Sequence, residues 1–396
     1  MIFLLPIYRL TLFLLVLCFA VSVMAQDGQT ANVLTAKQGI STAGEAARCF
    51  NEPDNAKSQQ RENEAISSLP KIARFWLTED VVYIISPEER CAFLHLATDE
   101  EREHFVEQYW SRRAPDPTSL DNSFKREHYE RIVSANEQFT GQLPGWKTDR
   151  GRVYVTFGPP DSIEWHQPGE RTGRPPQAGV ETYQYSWEGW HYNHIEGMGD
   201  NVEFEFVDSS GSGDYRLTGP PEMKEGVMLI PPYNLSRSRR GETTTRSAQI
   251  EIYVGPVPTP LVQFKDLEAV VTSRIIREQV QFTHRIEFAQ ATQATTLTRI
   301  FVDVPRNQQR SPSSAEPFAE FEVFGRVSKP SGWVVDTFER RIFLEAQGSH
   351  AATEFHLALV PATYRLAIVV KDSANADTGT LYTAFDVPSY ERAKEK

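Results

Sequence analysis

This chain has little cysteine and little positive charge. Of 396 residues, 3 are cysteine, and 53 Asp and Glu outnumber 41 Lys and Arg, leaving a formal net charge of −12. Such a balance argues against nucleic acid as the main partner, because neutralising phosphates needs a basic face. Long apolar runs are missing beyond the first 25 residues, so no later segment is expected to cross a membrane. The common enzyme signatures are missing as well: G-x-S-x-G, the P-loop, H-E-x-x-H and the Gly-rich dinucleotide fingerprint. Cysteine spacing fits no metal site. No cofactor and no metal are expected.

What is present begins with a leader. Arg9 is the only charged side chain before Asp27, and the run from Leu10 to Val23 is almost wholly apolar. Val23-Met24-Ala25 places small or modest side chains where a signal peptidase reads. The run is shorter than the roughly 20 residues that span a bilayer. The expectation is a signal peptide over 1–25, cleavage before Gln26, and export to the periplasm or beyond. Leu17 before Cys18 is too bulky for lipid attachment. Loss of Arg9 with the leader takes the formal charge from −12 to −13. Cys49 and Cys91 then remain, and two readings stand open. They form a disulfide, worth on the order of 4 kcal/mol in the chain-entropy model, or they are separate thiols, with Cys91 packed on a helix and Cys49 in a polar arm.

Residues 26–69 are polar and read as that arm. Leu77 to Ile85 is apolar and β-branched, which suits a strand or a buried entry segment. Ser86-Pro87-Glu88-Glu89 and Thr98-Asp99-Glu100-Glu101 are capping boxes that open helices. A third helix runs from about Asn122 to Phe139, with Phe124, His128, Ile132, Ala135 and Phe139 as its buried stripe. The period then changes to two. Val153, Val155 and Phe157 alternate with polar neighbours and predict a strand closed by Gly158-Pro159-Pro160-Asp161. Thr182–Trp187 and Val202–Val207 predict further strands, and 209–214 a Gly-rich turn. Helices followed by an antiparallel sheet give an α+β domain over 70–220. A Pro- and Arg-containing linker fills 221–247. Alternating strands recur over 248–388, with a polar tail at 389–396, and predict a β-sandwich. Leu359-Val360-Pro361-Ala362-Thr363-Tyr364 is similar to the tyrosine corner of immunoglobulin- and fibronectin-like domains.

Gly145-Trp146-Lys147-Thr148-Asp149 resembles the signature of the GWxTD domain family, exported bacterial proteins of unknown function. The likeness extends upstream through Tyr109–Arg113, Pro117 and His128–Phe139. Downstream it takes in Arg150-Gly151-Arg152-Val153 and Phe157–Asp161. Ala114 departs from it, since the family often has an acidic residue there. The resemblance implies an exported protein and brings no catalytic assignment. Read from the residues, Gly145 to Gly151 is a structural joint between the third helix and the first strand. Pro144 stops the helix, the glycines permit unusual backbone angles, Thr148 and Asp149 accept turn hydrogen bonds, and Trp146 fills the gap. Arg150 or Arg152 pairs with Asp149 or Asp161.

The candidate ligand site is aromatic and histidine-rich: Trp165, His166, Trp187, Trp190, His191, Tyr192 and His194. Six of the seven tryptophans fall within 70–220. Exposed aromatic faces beside polar groups grip sugars or peptides; the competing reading is plain strand packing. His191 and His194 lack the further ligands of a known metal site. His284 reads as a core histidine. The function expected from all this is an exported, non-enzymatic module that binds an envelope protein or glycan. The alternatives are an enzyme acting on cell-wall polysaccharide, with its groove at Trp165, His166, Trp187 and His191, and a scaffold without ligand.

Overall fold

The structure is a computed structural model, and it describes residues 56–168, 185–196, 198–218, 260–306, 318–345 and 348–390. The expected leader, most of the arm and the linker lie outside these residues. Two compact units are formed: of the described residues, 56–65 and 87–99 belong to one and the rest to the other.

In the first unit, most of helix α1 (Ala56–Ser68) and helix α3 (Pro87–Leu94) are described. Arg90 Nε meets Glu62 Oε1 at 2.5 Å. Proline opens α3 as the capping box predicts. Cys91 lies on α3 and is disulfide-bonded; Cys49 lies outside the described residues.

The second unit starts with α2 (Lys71–Phe75), which runs into a π-helical turn, Trp76–Asp80. The stretch from Leu77 is therefore a buried entry segment and not a strand. Helix α4 (Asp99–Ser111) and helix α5 (Ser123–Phe139) follow. Asn122 caps α5, its Oδ1 accepting from Lys125 N at 3.0 Å while its Nδ2 donates to Trp110 O at 2.7 Å. The Trp76 ring stands edge-on to Tyr109 at 5.3 Å, and Trp110 touches His128 and Tyr129 at 5.6 and 5.5 Å. An antiparallel sheet comes next, in the order β1 (Ser162–His166), β2 (Ser186–Ile195), β3 (Gly199–Asp208), β4 (Arg216–Leu217). One face buries Trp190, Tyr192, Phe204 and Phe206 against Phe139, Tyr154 and Phe157.

One expectation fails here. Asp149–Phe157 is helix α6, not the first strand. Its ends carry the reason. Thr148 has extended backbone and its Oγ1 accepts from Gly151 N at 3.0 Å, an N-cap. Asp149 sits in the first turn, and Gly158 at φ +87° closes the last, its N–H bonding to Tyr154 O at 2.8 Å. These caps outweigh the β-branched alternation of the five residues between Val153 and Phe157.

The C-terminal part is a sandwich of two antiparallel sheets. One has the order β11 (Thr378–Asp386), β10 (Thr363–Asp372), β7 (Phe318–Ser328), β8 (Val334–Glu345). The other has β5 (Thr283–Gln290), β6 (Thr296–Pro305), β9 (His350–Leu359). Ile300, Val302, Val323, Phe338, Phe355 and Leu366 fill the space between them. Tyr364 is fully buried and its hydroxyl donates to Val360 O at 2.9 Å, closing the corner the sequence predicts. Burial pushes the Tyr364 phenol up to about 12. Helix α7 (Lys265–Thr272), which the strand reading misses, covers the outer face of the four-stranded sheet with Phe264, Leu267 and Val271 against Phe324 and Val369. His284 is exposed and not a core residue. Ile286 and Phe288 on β5 pack inward as period two predicts, while His284 on the same face is exposed.

Candidate functional site

The signature segment joins two helices. Gly145–Lys147 is a single 3-10 turn between α5 and α6. Neither Gly145 nor Gly151 has positive φ. Close approach is what excludes a side chain. A Cβ on Gly145 would stand 1.9 Å from Ala135 O, and one on Gly151 would stand 1.9 Å from Gly145 O. The backbone of α5, the turn and α6 are thus stacked through two glycines. Thr148 Oγ1 donates to Gly145 O at 2.7 Å, and Thr140 Oγ1 accepts from Gly145 N at 2.9 Å. Trp146 is buried, with Tyr83 edge-on at 5.9 Å and donating to its carbonyl at 3.1 Å. Lys147 lies over the Trp146 ring at 4.7 Å and reaches Glu79 at 3.0 Å.

Beyond the joint, Asp149 Oδ2 accepts from Leu217 N at 2.9 Å and ties α6 to β4. The expected partners of the arginines are corrected. Arg150 pairs with Glu188 at 2.9 Å, both side chains 14% exposed, and lies between the rings of Phe139 and Tyr215. Glu188 also accepts from Trp190 Nε1 at 3.1 Å. The Arg152 guanidinium lies 5.3 Å from the Tyr83 ring centre. Asp161 accepts from Asn193 N at 2.7 Å. Arg150 and Asp149 chose partners from a sheet more than 35 residues away along the chain, which local spacing does not reveal.

The aromatic and histidine residues divide by strand parity. Trp190 and Tyr192 point at α5 and α6 and are 0% and 3% exposed. Tyr192 donates to Gly158 O at 2.8 Å, and burial raises its phenol. Trp187 and His166 face each other across β1 and β2 on the opposite side, stacked at 4.1 Å. Trp187 bends over Gly189, its Cζ3 3.1 Å from where a Cβ would lie, and is itself 2% exposed. None of these three aromatic side chains offers a ligand a free face. His191 and His194, three residues apart on one strand, lie on opposite faces, so they cannot share one ion. His194 meets Asp200 at 2.6 Å with both exposed. Among the described residues no group of three His, Cys, Asp or Glu side chains is arranged to hold a metal. Trp165 is the exception among the aromatics. It is 53% exposed on β1, beside Ile163 at 54%, with its indole N–H near Tyr215 Oη at 3.4 Å.

A second polar centre was not foreseen. Asp80, at the end of the π-helical turn, is buried and accepts from Tyr129 at 2.9 Å, from Thr295 at 2.5 Å and from Thr292. Glu79 beside it accepts from the Gln293 backbone and side chain at 3.0 and 3.1 Å. His128 Nε2 meets Asp80 O at 2.6 Å. Asn136 donates to Gln290 O and Ala291 O, and Glu130 meets His356 at 2.5 Å. The helical part thus supplies mainly acceptors, and the β5–β6 loop mainly donors. Burial, only partly offset by the hydroxyls, raises the Asp80 carboxyl to about 6, and burial lowers His128 to about 4. Glu79 and Asp80 give no sign in sequence of being buried; only their position inside the apolar run from Trp76 to Ile85 hints at it.

Residues 49–228 match the family model of the GWxTD domain. The chain carries a GWxTD domain. The joint just described is the signature of that domain, and α5, α6 and the β1–β4 sheet are built around it. No curated protein matches the chain. Among solved structures, it is similar to a beta-glucuronidase of Bacteroides uniformis at 20% identity and TM-score 0.20, over 26% of this chain and 13% of that one. It is also similar to the MHC-like protein MILL2 at 8% identity and TM-score 0.18, over 51% of this chain and 67% of that one. The chain therefore spans about one eighth of the length of the first. Likeness this slight carries nothing about the GWxTD domain or the sandwich.

Proposed function

We propose that this protein is an exported, non-enzymatic binding module of the cell envelope, and that it takes a protein partner along β1. The observation that carries the reading is the outer strand of the GWxTD sheet. β1 pairs only with β2 among the described residues, so no described strand occupies its other edge. Ile163 and Trp165 stand on one face of it, each more than half exposed. Such an edge with alternating apolar side chains suits the addition of an extended segment, whose backbone pairs with the edge while its side chains meet Ile163 and Trp165. Export is supported by the leader pattern of residues 1–25 and by the disulfide at Cys91, which belongs to an oxidising compartment. The non-enzymatic reading is supported by the signature side chains, whose polar groups serve caps, turns and ion pairs. The space over Gly189, between Glu164 and Glu203, is occupied by Trp187.

The test is capture from envelope extract by the purified protein and by an Ile163→Lys/Trp165→Ala variant. The expected result is a protein retained by the parent and lost with the variant, while His194→Ala retains it. A retained set that is identical for parent and double variant would overturn the assignment to β1.

A further inference from the structure

The sandwich has a hollow of its own, about 580 Å³ in volume, on the outer face of its three-stranded sheet. That is within the roughly 300–1,000 Å³ of small-ligand sites. Its floor is two neighbouring cross-strand rows. Thr283, Asp303 and Ala352 form one, and Arg285, Phe301 and Glu354 the other. In antiparallel pairs directly opposite side chains share a face, so all six look into the same space. Phe301 and Ala352 make an apolar diagonal. A hydroxyl, a guanidinium and two carboxylates surround it.

The polar groups are held in place, which matters for recognition. Arg285 lies 4.0 Å from the Phe301 ring centre and pairs with Glu287. One oxygen of Asp303 is buried with no hydrogen-bond donor among the described residues, so the sheet does not consume the acceptor capacity of this carboxylate. Glu354 is half exposed and touches His356 at 3.4 Å. The mixture selects by chemistry. Asp303 and Glu354 repel a polyanion, and Arg285 keeps the hollow from being a plain cation trap. A purely apolar ligand would cover the Asp303 carboxylate without supplying a hydrogen-bond donor. A ring with an apolar C–H face and hydroxyls around its edge satisfies all of them. Its face lies on the Phe301–Ala352 diagonal, its hydroxyls donate to Asp303 and Glu354, and Arg285 donates to its oxygens.

We propose that this hollow binds a short neutral oligosaccharide. The site is separate from β1 and stands or falls apart from it. The test is calorimetric titration of the purified exported protein with maltotetraose, cellotetraose, xylotetraose and chitotetraose, and with tetralysine as a cationic probe. The expected result is saturable binding of at least one tetrasaccharide, weakened at least tenfold by Asp303→Ala and by Arg285→Ala with melting unchanged, and not affected by Ile163→Lys/Trp165→Ala. Phe301→Ala is expected to act likewise where it folds. No heat from any of the four sugars, binding that survives both Asp303→Ala and Arg285→Ala, or binding of tetralysine alone would each overturn the proposal.

Discussion

Replacing Gly145 or Gly151 by alanine tests the joint most directly. The added Cβ begins 1.9 Å from a carbonyl oxygen in each case, where ordinary contact starts at 3.4 Å. Relief requires the stacked backbones to part by about 1.5 Å, the difference of those distances. The oxygen struck by the Gly151 substituent is that of Gly145, which also accepts from Thr148. Parting them stretches the hydrogen bonds at Gly145 N, Gly145 O and Gly151 N, each worth about 1 kcal/mol, and overpacking adds about 1–3 kcal/mol. A loss of about 4–6 kcal/mol is expected for each variant, with the double variant losing less than the sum because both strain one stack. Gly141→Ala is the control. Nothing lies within 4 Å of its added Cβ, so it should stay within about 0.5 kcal/mol of the parent. Denaturant unfolding followed by tryptophan emission measures the parent and all four variants. Gly145→Ala and Gly151→Ala variants that unfold at the parent's midpoint would refute the close-packing argument.

Two further outcomes follow from burial and charge. Trp190→Ala should cost about 3–5 kcal/mol, since its ring is enclosed by Phe139, Tyr154 and Phe206, whereas Asp149→Asn should cost little because the amide still accepts from Leu217 N; thermal melts decide both. The Asp80 carboxyl is raised from 3.8 to about 6, so its folded form binds protons more tightly and its contribution falls as pH rises from about 4 to 6. His128 is lowered from 6.5 to about 4, so its contribution falls as pH drops through the same range. At about 1.4 kcal/mol per unit the two are each on the order of 3 kcal/mol and nearly cancel. Asp80→Asn should therefore lose stability relative to the parent as pH falls from 6.5 to 4, and His128→Gln should gain it. Parallel curves of stability against pH for all three proteins would show the assignment to be wrong.

How much of this was legible in the sequence depended on how local the cause was. Caps are local, and Pro87 and Asn122 mark their helices plainly. So does the corner at Tyr364, whose partner Val360 is four residues away. The segment after Thr148 reads as a strand in sequence and is a helix in the structure. Val153, Val155 and Phe157 alternate as a strand does, while the helix is decided by Thr148, Gly151 and Gly158. Glycine at 145 and 151 suggested special backbone angles; the cause is contact with Ala135 and with Gly145 itself, visible only once three segments are stacked. The aromatic cluster was seen as a set and not as two faces, because that division needs strand register. The Asp80 centre depends on residues far along the chain and left no pattern.

That distance has a consequence for the order of assembly. Asp80 and Thr292 are 212 residues apart, Asp80 and Thr295 215, and Glu130 and His356 226. Closing loops of that length adds little to the equilibrium cost, since the penalty grows only with the logarithm of length, but contacts of such separation form late. As synthesis proceeds, α2, α4, α5 and the GWxTD sheet are complete before the strands that bear the threonines exist. Through that interval Asp80 lacks the hydroxyls of Thr292 and Thr295. At pH 5 burial of His128 gives up a proton and burial of Asp80 takes one up, so refolding should show release as the helices pack and uptake when the β5–β6 loop arrives, two opposite signals that a pH-indicator dye in stopped flow would separate.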